Sequence, residues 1–256
     1  IPVKKINHII TLLFFTTMCS GSFAQYLKGI TGKVDTSYTT YGAYMYSKQT
    51  DPGISIVKEI RLSAITEKRN LIYCNLKNRQ LKIDAFYPNQ KNNIKLTAII
   101  IIHGGGWRSG NRSQHYPMAQ TLATMGYVCF TPEYRLSTEA LFPAGIYDIK
   151  AAIRWVRANA TKYNIDTSHI IIAGFSAGGE MAAFMGTTGN MPLFEGTGCT
   201  SPFQSHANAV IDIDGTLSFV HPDGREGDDS KSISAATYWF GYSKKDNPIL
   251  WEAASP

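Results

Sequence analysis

The chain has 256 residues, 44% hydrophobic, 17% charged and 12% aromatic, with a formal net charge of +6. That length supports one compact domain with a sizeable core. The positive charge is mild and forms no long basic run, so composition gives no reason to expect a nucleic-acid or membrane partner.

In chain order, Lys4, Lys5 and the apolar run Ile9 to Phe15 have the form of the charged and hydrophobic regions of a secretory signal. Ser22-Phe23-Ala24 then puts small residues at −3 and −1 before Gln25. Residues 1–24 are therefore read as a signal peptide, which implies a secreted or periplasmic protein. The apolar run is too short to span a membrane. Lipidation at Cys19 and a plain apolar helix are the other readings of this segment. Lys4 and Lys5 are two of the 25 basic residues, so removal of the leader leaves 23 against 19 acidic ones. It also leaves Cys74, Cys129 and Cys199. Cys74 and Cys129 sit in apolar strand-like runs and read as small core residues. The odd, widely spaced set argues against a disulfide framework while leaving one pair open. No zinc-site spacing is present.

Residues 25–56 are rich in Tyr, Thr, Gly and Lys and read as a lead-in or a strand-bearing cap. Tyr38, Tyr41, Tyr44 and Tyr46 there are either ordinary tyrosines or the lining of a sugar-binding surface. Residues 57–256 form the second unit. Strands are expected near 56–62 and 71–75. Gln80 to Tyr87 alternates and stops at Pro88, as an outer strand with one wet face would. Leu96 to Ile102 is continuously apolar, as in a strand buried on both faces. Tyr116 to Met125 has helical spacing closed by Gly126, and Tyr127 to Thr131 is the next buried strand. Pro143 opens a helix with Ile146, Ile149, Ile153 and Val156 on its apolar face. The strand Ile170–Phe175, a helix from Ala177 to about Met185 and the strand Ala207–Ile213 follow. The glycine-rich 215–250 stretch, helical from Ser232 to Phe240, reads as an excursion rather than core. The alternation of strand and helix predicts an α/β fold, a mostly parallel sheet covered on both faces.

The stretch Gly174-Phe175-Ser176-Ala177-Gly178-Gly179 carries the chemistry. A serine on a tight strand-to-helix turn has its hydroxyl pushed above the sheet, beside the unpaired N–H groups of a helix start. Ser176 is the predicted nucleophile; the alternative is a serine N-cap in a glycine-rich turn. His103-Gly104-Gly105-Gly106-Trp107 follows one buried strand, Glu133-Tyr134-Arg135-Leu136 follows the next, and Phe142-Pro143-Ala144 leads into Asp148 and Trp155.

Together these motifs resemble the α/β-hydrolase superfamily, in its HGGG-type esterase/lipase branch, over about residues 70–256. Within that branch the chain looks like bacterial secreted esterases that trim acyl groups from plant polysaccharides. The resemblance implies a three-layer sandwich and a serine carboxylesterase. Its oxyanion would be held by the N–H groups of Gly105, Gly106 and Ala177. His103 would anchor the glycine loop, and Tyr134 and Arg135 would brace it. Glu133 stands where most relatives have Asp, and Asp148 reads as a polar residue tying down the same region. Trp107 would wall the acyl or sugar pocket or simply pack, and Asp214 and His221 would border the substrate. Glu180 stands where such a helix more often has a neutral residue.

Serine chemistry also needs a histidine base and a carboxylate, which in these hydrolases follow the serine in the order acid, then histidine. Only His206 and His221 follow Ser176, and neither earns that role. The acid, the base and the last two strands are therefore expected beyond Pro256, which makes 57–256 an incomplete catalytic domain and this stretch inactive alone. The expected substrate is an acylated carbohydrate or small ester, with acetylated pectin or xylan first and feruloyl esters second. No cofactor or metal is expected. A lipase or peptidase of the same fold and a non-catalytic carbohydrate-binding relative are the alternatives.

Overall fold

The computed structural model describes residues 29–89, 94–189, 191–199, 202–224 and 226–256, so the expected signal peptide lies outside the described residues. Six strands form one sheet: β1 (Ile65–Leu76), β2 (Arg79–Pro88), β3 (Leu96–Ile102), β4 (Val128–Pro132), β5 (Ile165–Phe175) and β6 (Ala209–Ile213). Their spatial order is β1-β2-β4-β3-β5-β6. The pairs β1–β2 and β2–β4 are antiparallel, whereas β3 runs parallel to β4 and β5, and β5 parallel to β6.

The period-2 geometry of β3 divides its apolar run between two cores. Ala98, Ile100 and Ile102 pack in one with helix α3 (Ala144–Ala158) and helix α5 (Ala177–Thr187). Ile99 and Ile101 pack in the other with helix α2 (Tyr116–Thr124). Each isoleucine buried this way contributes about 1.5–3 kcal/mol, so the unbroken run is what a central strand requires. The result is the three-layer α/β arrangement. The connection from β3 leads to β4 on one side, while that from β5 leads to β6 on the other. The crevice of such a sheet opens at this reversal, beyond the carboxyl ends of β3 and β5.

Several expectations are corrected. The first strand is β1, and 56–62 is not a strand. The 29–56 segment contains no strand; its regular element is helix α1 (Thr40–Ser47), which buries none of its residues. β2 is not the outer strand, because β1 covers it. Its apparent wet face includes Asp84, which is fully buried; this carboxylate takes the Asn70 N–H at 2.6 Å, Arg112 at 3.1 Å and the Tyr116 hydroxyl. A buried, satisfied carboxylate gives the same alternation in sequence as a wet one. The 215–250 stretch also supplies core: Phe219, Trp239, Phe240 and the neighbouring Trp251 are all buried, the two tryptophans in the short helices α6 (Ala235–Phe240) and α7 (Pro248–Ala253). Helix α4 (Ala160–Tyr163) completes the set.

Cys74 is not merely a core residue. It is disulfide-bonded to Cys199 across 125 residues, with Cα atoms 5.6 Å apart. The connection before β6 folds back onto β1, a juxtaposition that spacing along the chain does not reveal. Cys129 stays free and buried, its thiol pushed up to about 12 by burial. A bond closing so long a loop restricts the unfolded chain, and replacing both Cys74 and Cys199 with alanine is expected to cost about 2–5 kcal/mol. Urea denaturation reads this directly; equal midpoints for the two proteins would show that the bond adds no stability.

Candidate active site

β5 ends at Phe175 and α5 begins at Ala177, so one residue makes the whole turn. Ser176 makes it with φ 54° and ψ −121°. A non-glycine residue held there costs on the order of 1–3 kcal/mol, so its surroundings must impose the shape. They do so through the backbone. The Ser176 N–H donates to the Ile213 carbonyl at 2.9 Å, and the Ser176 carbonyl accepts from Gly179 at 2.8 Å and Glu180 at 3.0 Å. The side chain makes no cap bond to α5, and the residue is exposed.

The turn after β3 lies against this serine. A Cβ placed on Gly104 would sit 3.3 Å from the Ser176 Cβ. Gly105 has φ +121°, and a Cβ there would meet the Ser109 carbonyl oxygen at 2.4 Å. That carbonyl position is open to glycine alone. Among the described residues no protein acceptor takes the N–H of Gly105, Gly106 or Ala177. Gly104, Gly105, Gly106 and Ser176 line one pocket of about 390 Å³. Its other walls are Ser37, Tyr38, Arg108, Ser109, Gln114, His115, Phe175 and Ala235. Ala177, buried, stands just behind it as the first residue of α5.

The bracing residues lie beneath. His103 is buried, with Nδ1 2.8 Å from the Gly104 carbonyl and its ring stacked on Tyr134 at 4.5 Å. The Tyr134 hydroxyl donates to the His103 carbonyl at 3.0 Å. Arg135 turns the other way: its guanidinium grips Asp148 at 2.8 and 2.9 Å and so ties the β4 exit to α3. Tyr134 therefore touches the glycine turn, while Arg135 and Asp148 join the β4 exit to α3. Glu133 accepts from the Lys82 N–H at 2.9 Å and pairs with Arg79 at 2.9 Å, which fixes β2 rather than the turn.

Three residues expected at the substrate do not line this pocket. Trp107 is buried and stacks on Trp239 at 4.7 Å, so it packs beneath the site and does not line the pocket. Asp214 is exposed in the turn after β6 with φ 60°. His221 is exposed, and its Nδ1 accepts from the Asp223 N–H at 3.2 Å. Conversely, His115 and Ser37 line the pocket without having been expected there, and Tyr38, read as an ordinary tyrosine or the lining of a sugar-binding surface, lines it as well. His115 stacks on Phe175 at 4.3 Å, immediately before the serine. Its place between the glycine turn and the next helix was the available signal. Ser37 and Tyr38 reach the pocket because Asp35 clamps Arg108 at 2.9 Å; hydrogen bonds from Ser37, and then the Arg108 guanidinium, hold the Asp35 carboxyl down at about 2. Among the described residues no group of three or more potential ligands could hold a metal ion, and no helix is long and apolar enough to cross a membrane.

A serine on a positive-φ strand-to-helix turn, sharing a pocket with a glycine turn at the switch point of the sheet, has the arrangement of the esterase/lipase type of α/β-hydrolase. Comparison with known proteins agrees. The BD-FAE family model matches residues 83–256, and the chain belongs to the BD-FAE family. It is 40% identical over 98 residues to the esterase LipC of Mycobacterium tuberculosis, a match that covers 38% of this chain and 24% of LipC. Among solved structures it resembles a truncated form of a carbohydrate esterase from gut microbiota (TM-score 0.63, 29% identity, 78% of this chain and 74% of that one). It also resembles the propionate-bound esterase Est2 of Thermogutta terrifontis (TM-score 0.57, 28% identity, 76% and 66%). The chain thus spans well under two thirds of the curated relative's length.

Burial keeps His103 and His115 neutral, lowering each from 6.5 to about 4. An unfolded chain binds their protons first, so stability is full above about pH 6.5 and is lost as pH falls towards 4. His103 alone is worth on the order of 3 kcal/mol across that window. Urea melts at pH 7 and pH 4.5 should show the loss in the wild type and a shallower one in His103→Asn. Identical slopes would exclude His103 as its source.

Proposed function

We propose that the full-length protein is a carboxylic ester hydrolase working through a serine acyl-enzyme, and that it deacetylates plant cell-wall polysaccharide or oligosaccharide. The observation that carries this reading is the exposed Ser176 in its left-handed turn, sharing a pocket with Gly104, Gly105 and Gly106. The hydroxyl oxygen attacks the ester carbonyl, and the carbonyl oxygen takes up the negative charge. The Gly105, Gly106 and Ala177 amides are the donors that meet it; losing one such donor typically costs about 3–4 kcal/mol of transition-state stabilisation. Collapse of the adduct expels the alcohol and leaves an acyl-serine, which water then hydrolyses.

The base that takes the hydroxyl proton is not assigned to any histidine described above. His103 is sealed beneath the turn, His115 is stacked with its Nε2 buried, and neither His206 nor His221 lines the pocket. We assign the histidine and its carboxylate to another part of the full-length protein, so this 256-residue chain alone is expected to be inactive. The likeness to a carbohydrate esterase supports a sugar ester as substrate. The Cys74–Cys199 disulfide supports an oxidising compartment and hence the secreted or periplasmic location that residues 1–24 suggest.

Full-length wild type and Ser176→Ala should be compared on p-nitrophenyl acetate and acetylated pectin. Hydrolysis is expected to fall at least a thousandfold in the variant on both substrates. Equal rates would remove Ser176 from the mechanism, and activity on the acetate alone would remove the polysaccharide.

A further inference from the structure

Glu180 lies in the first turn of α5, four residues after the nucleophile, and is completely buried. Its Oε2 accepts the Trp107 indole N–H at 3.1 Å, and its Oε1 has no protein partner. Burial, with Asp212 nearby, raises its carboxyl well above the usual range. Buried this way, it is out of reach of substrate. What it offers is one well-placed acceptor.

The donor it serves is equally unusual. Trp107 follows Gly105 and Gly106 and, like them, has positive φ, at 56°. Glycine enters that region freely, but for a bulky side chain it is an outlier that its neighbours must enforce. Four contacts hold Trp107: the stack on Trp239 at 4.7 Å, the tilted ring contact with Phe219 at 5.6 Å, the Ser137 N–H donating to its carbonyl at 2.7 Å, and the indole bond to Glu180. Of these, the bond to Glu180 runs to α5, the helix that starts at Ala177 directly after Ser176. The other three tie Trp107 to the segment after β4, to α6 and to the segment after β6.

We propose that Glu180 is a positioning residue: by holding the Trp107 indole it fixes the Gly105–Gly106 turn relative to the start of α5, so that the two halves of the oxyanion hole keep one geometry. This rests on the esterase reading above and adds to it a residue that touches neither substrate nor serine hydroxyl. Geometry that matters only once negative charge has formed is felt in kcat more than in substrate binding.

The test uses the full-length protein and p-nitrophenyl acetate. E180L removes the acceptor and is expected to lower kcat at least tenfold, with KM changed less than threefold. E180Q has the shape of the neutral acid and still presents an oxygen to the indole, so it should return kcat to within threefold of wild type. W107F keeps the ring stack but loses the donor; it should match E180L, and combining the two should add no further loss. W107F also carries the test should E180L fail to fold. Wild-type kcat in E180L or W107F, an E180Q as impaired as E180L, or losses that multiply in the double variant would each overturn the inference while leaving the esterase reading intact. A wild type that hydrolyses no ester would overturn both.

Discussion

The site depends on how closely the first turn of α5 lies on the end of β3. A Cβ at Gly178 would stand 2.4 Å from the Ile102 carbonyl oxygen and 2.7 Å from that of His103, distances no side chain tolerates. With glycine there, helix and strand meet backbone to backbone. That contact brings the turn after β3 and the turn after β5 together at the point where the sheet's connections part to opposite sides. Ser176 and the 104–106 amides come together because two neighbouring strands end at the same level. Neither turn reaches across a distance to find the other.

The electrostatic character of the ground under the pocket follows from burial. Burial holds His103 neutral, pushes the Tyr134 phenol far above its ordinary range and raises the Glu180 carboxyl well above its own. Each shift disfavours the charged form, because removal from water penalises a charge that no close opposite charge offsets. A carboxylate charge beneath the glycine turn would oppose negative charge forming above it, at a dielectric where such repulsion is strong. Disfavouring that charge is the condition under which a few N–H groups can stabilise a developing negative charge.

What was legible in the sequence follows from what is local. The serine elbow, the glycine turn, the buried central strand and the helix with Ile146, Ile149, Ile153 and Val156 all announce themselves within a dozen residues, because their physics is periodicity and turn geometry. Tyr134 could be paired with the turn only through family resemblance; its hydroxyl donates to the His103 carbonyl. The misreadings have another origin. Asp84 is buried but satisfied, so β2 looked half wet. Cys74 finds Cys199 only through the folded path of the chain. Trp107 stays open between pocket wall and packing in the sequence, since an aromatic residue beside such a turn serves either purpose, and what decides is a partner 73 residues away, Glu180.

The pocket is assembled from two kinds of chain. Ser176, the Gly105, Gly106 and Ala177 amides and the residues beneath them all fall within residues 83–256, the stretch matched by the family. Ser37 and Tyr38, which form part of the outer wall, come from outside that stretch. They are held by the Asp35–Arg108 pair, by the Asp35 N–H donating to the Arg108 carbonyl at 3.2 Å, and by the Arg108 guanidinium lying 4.1 Å from the Tyr238 ring centre. Arg108 itself sits two residues past the last glycine of the turn. The same loop that carries the Gly105 and Gly106 amides therefore also fastens the segment that narrows the entrance. A change in residues 35–38 alters what fits beside the ester without moving the atoms that would react with it. This separates the chemistry, fixed by backbone packing in the sheet, from the shape of the entrance, which is set by a surface segment with few buried contacts of its own.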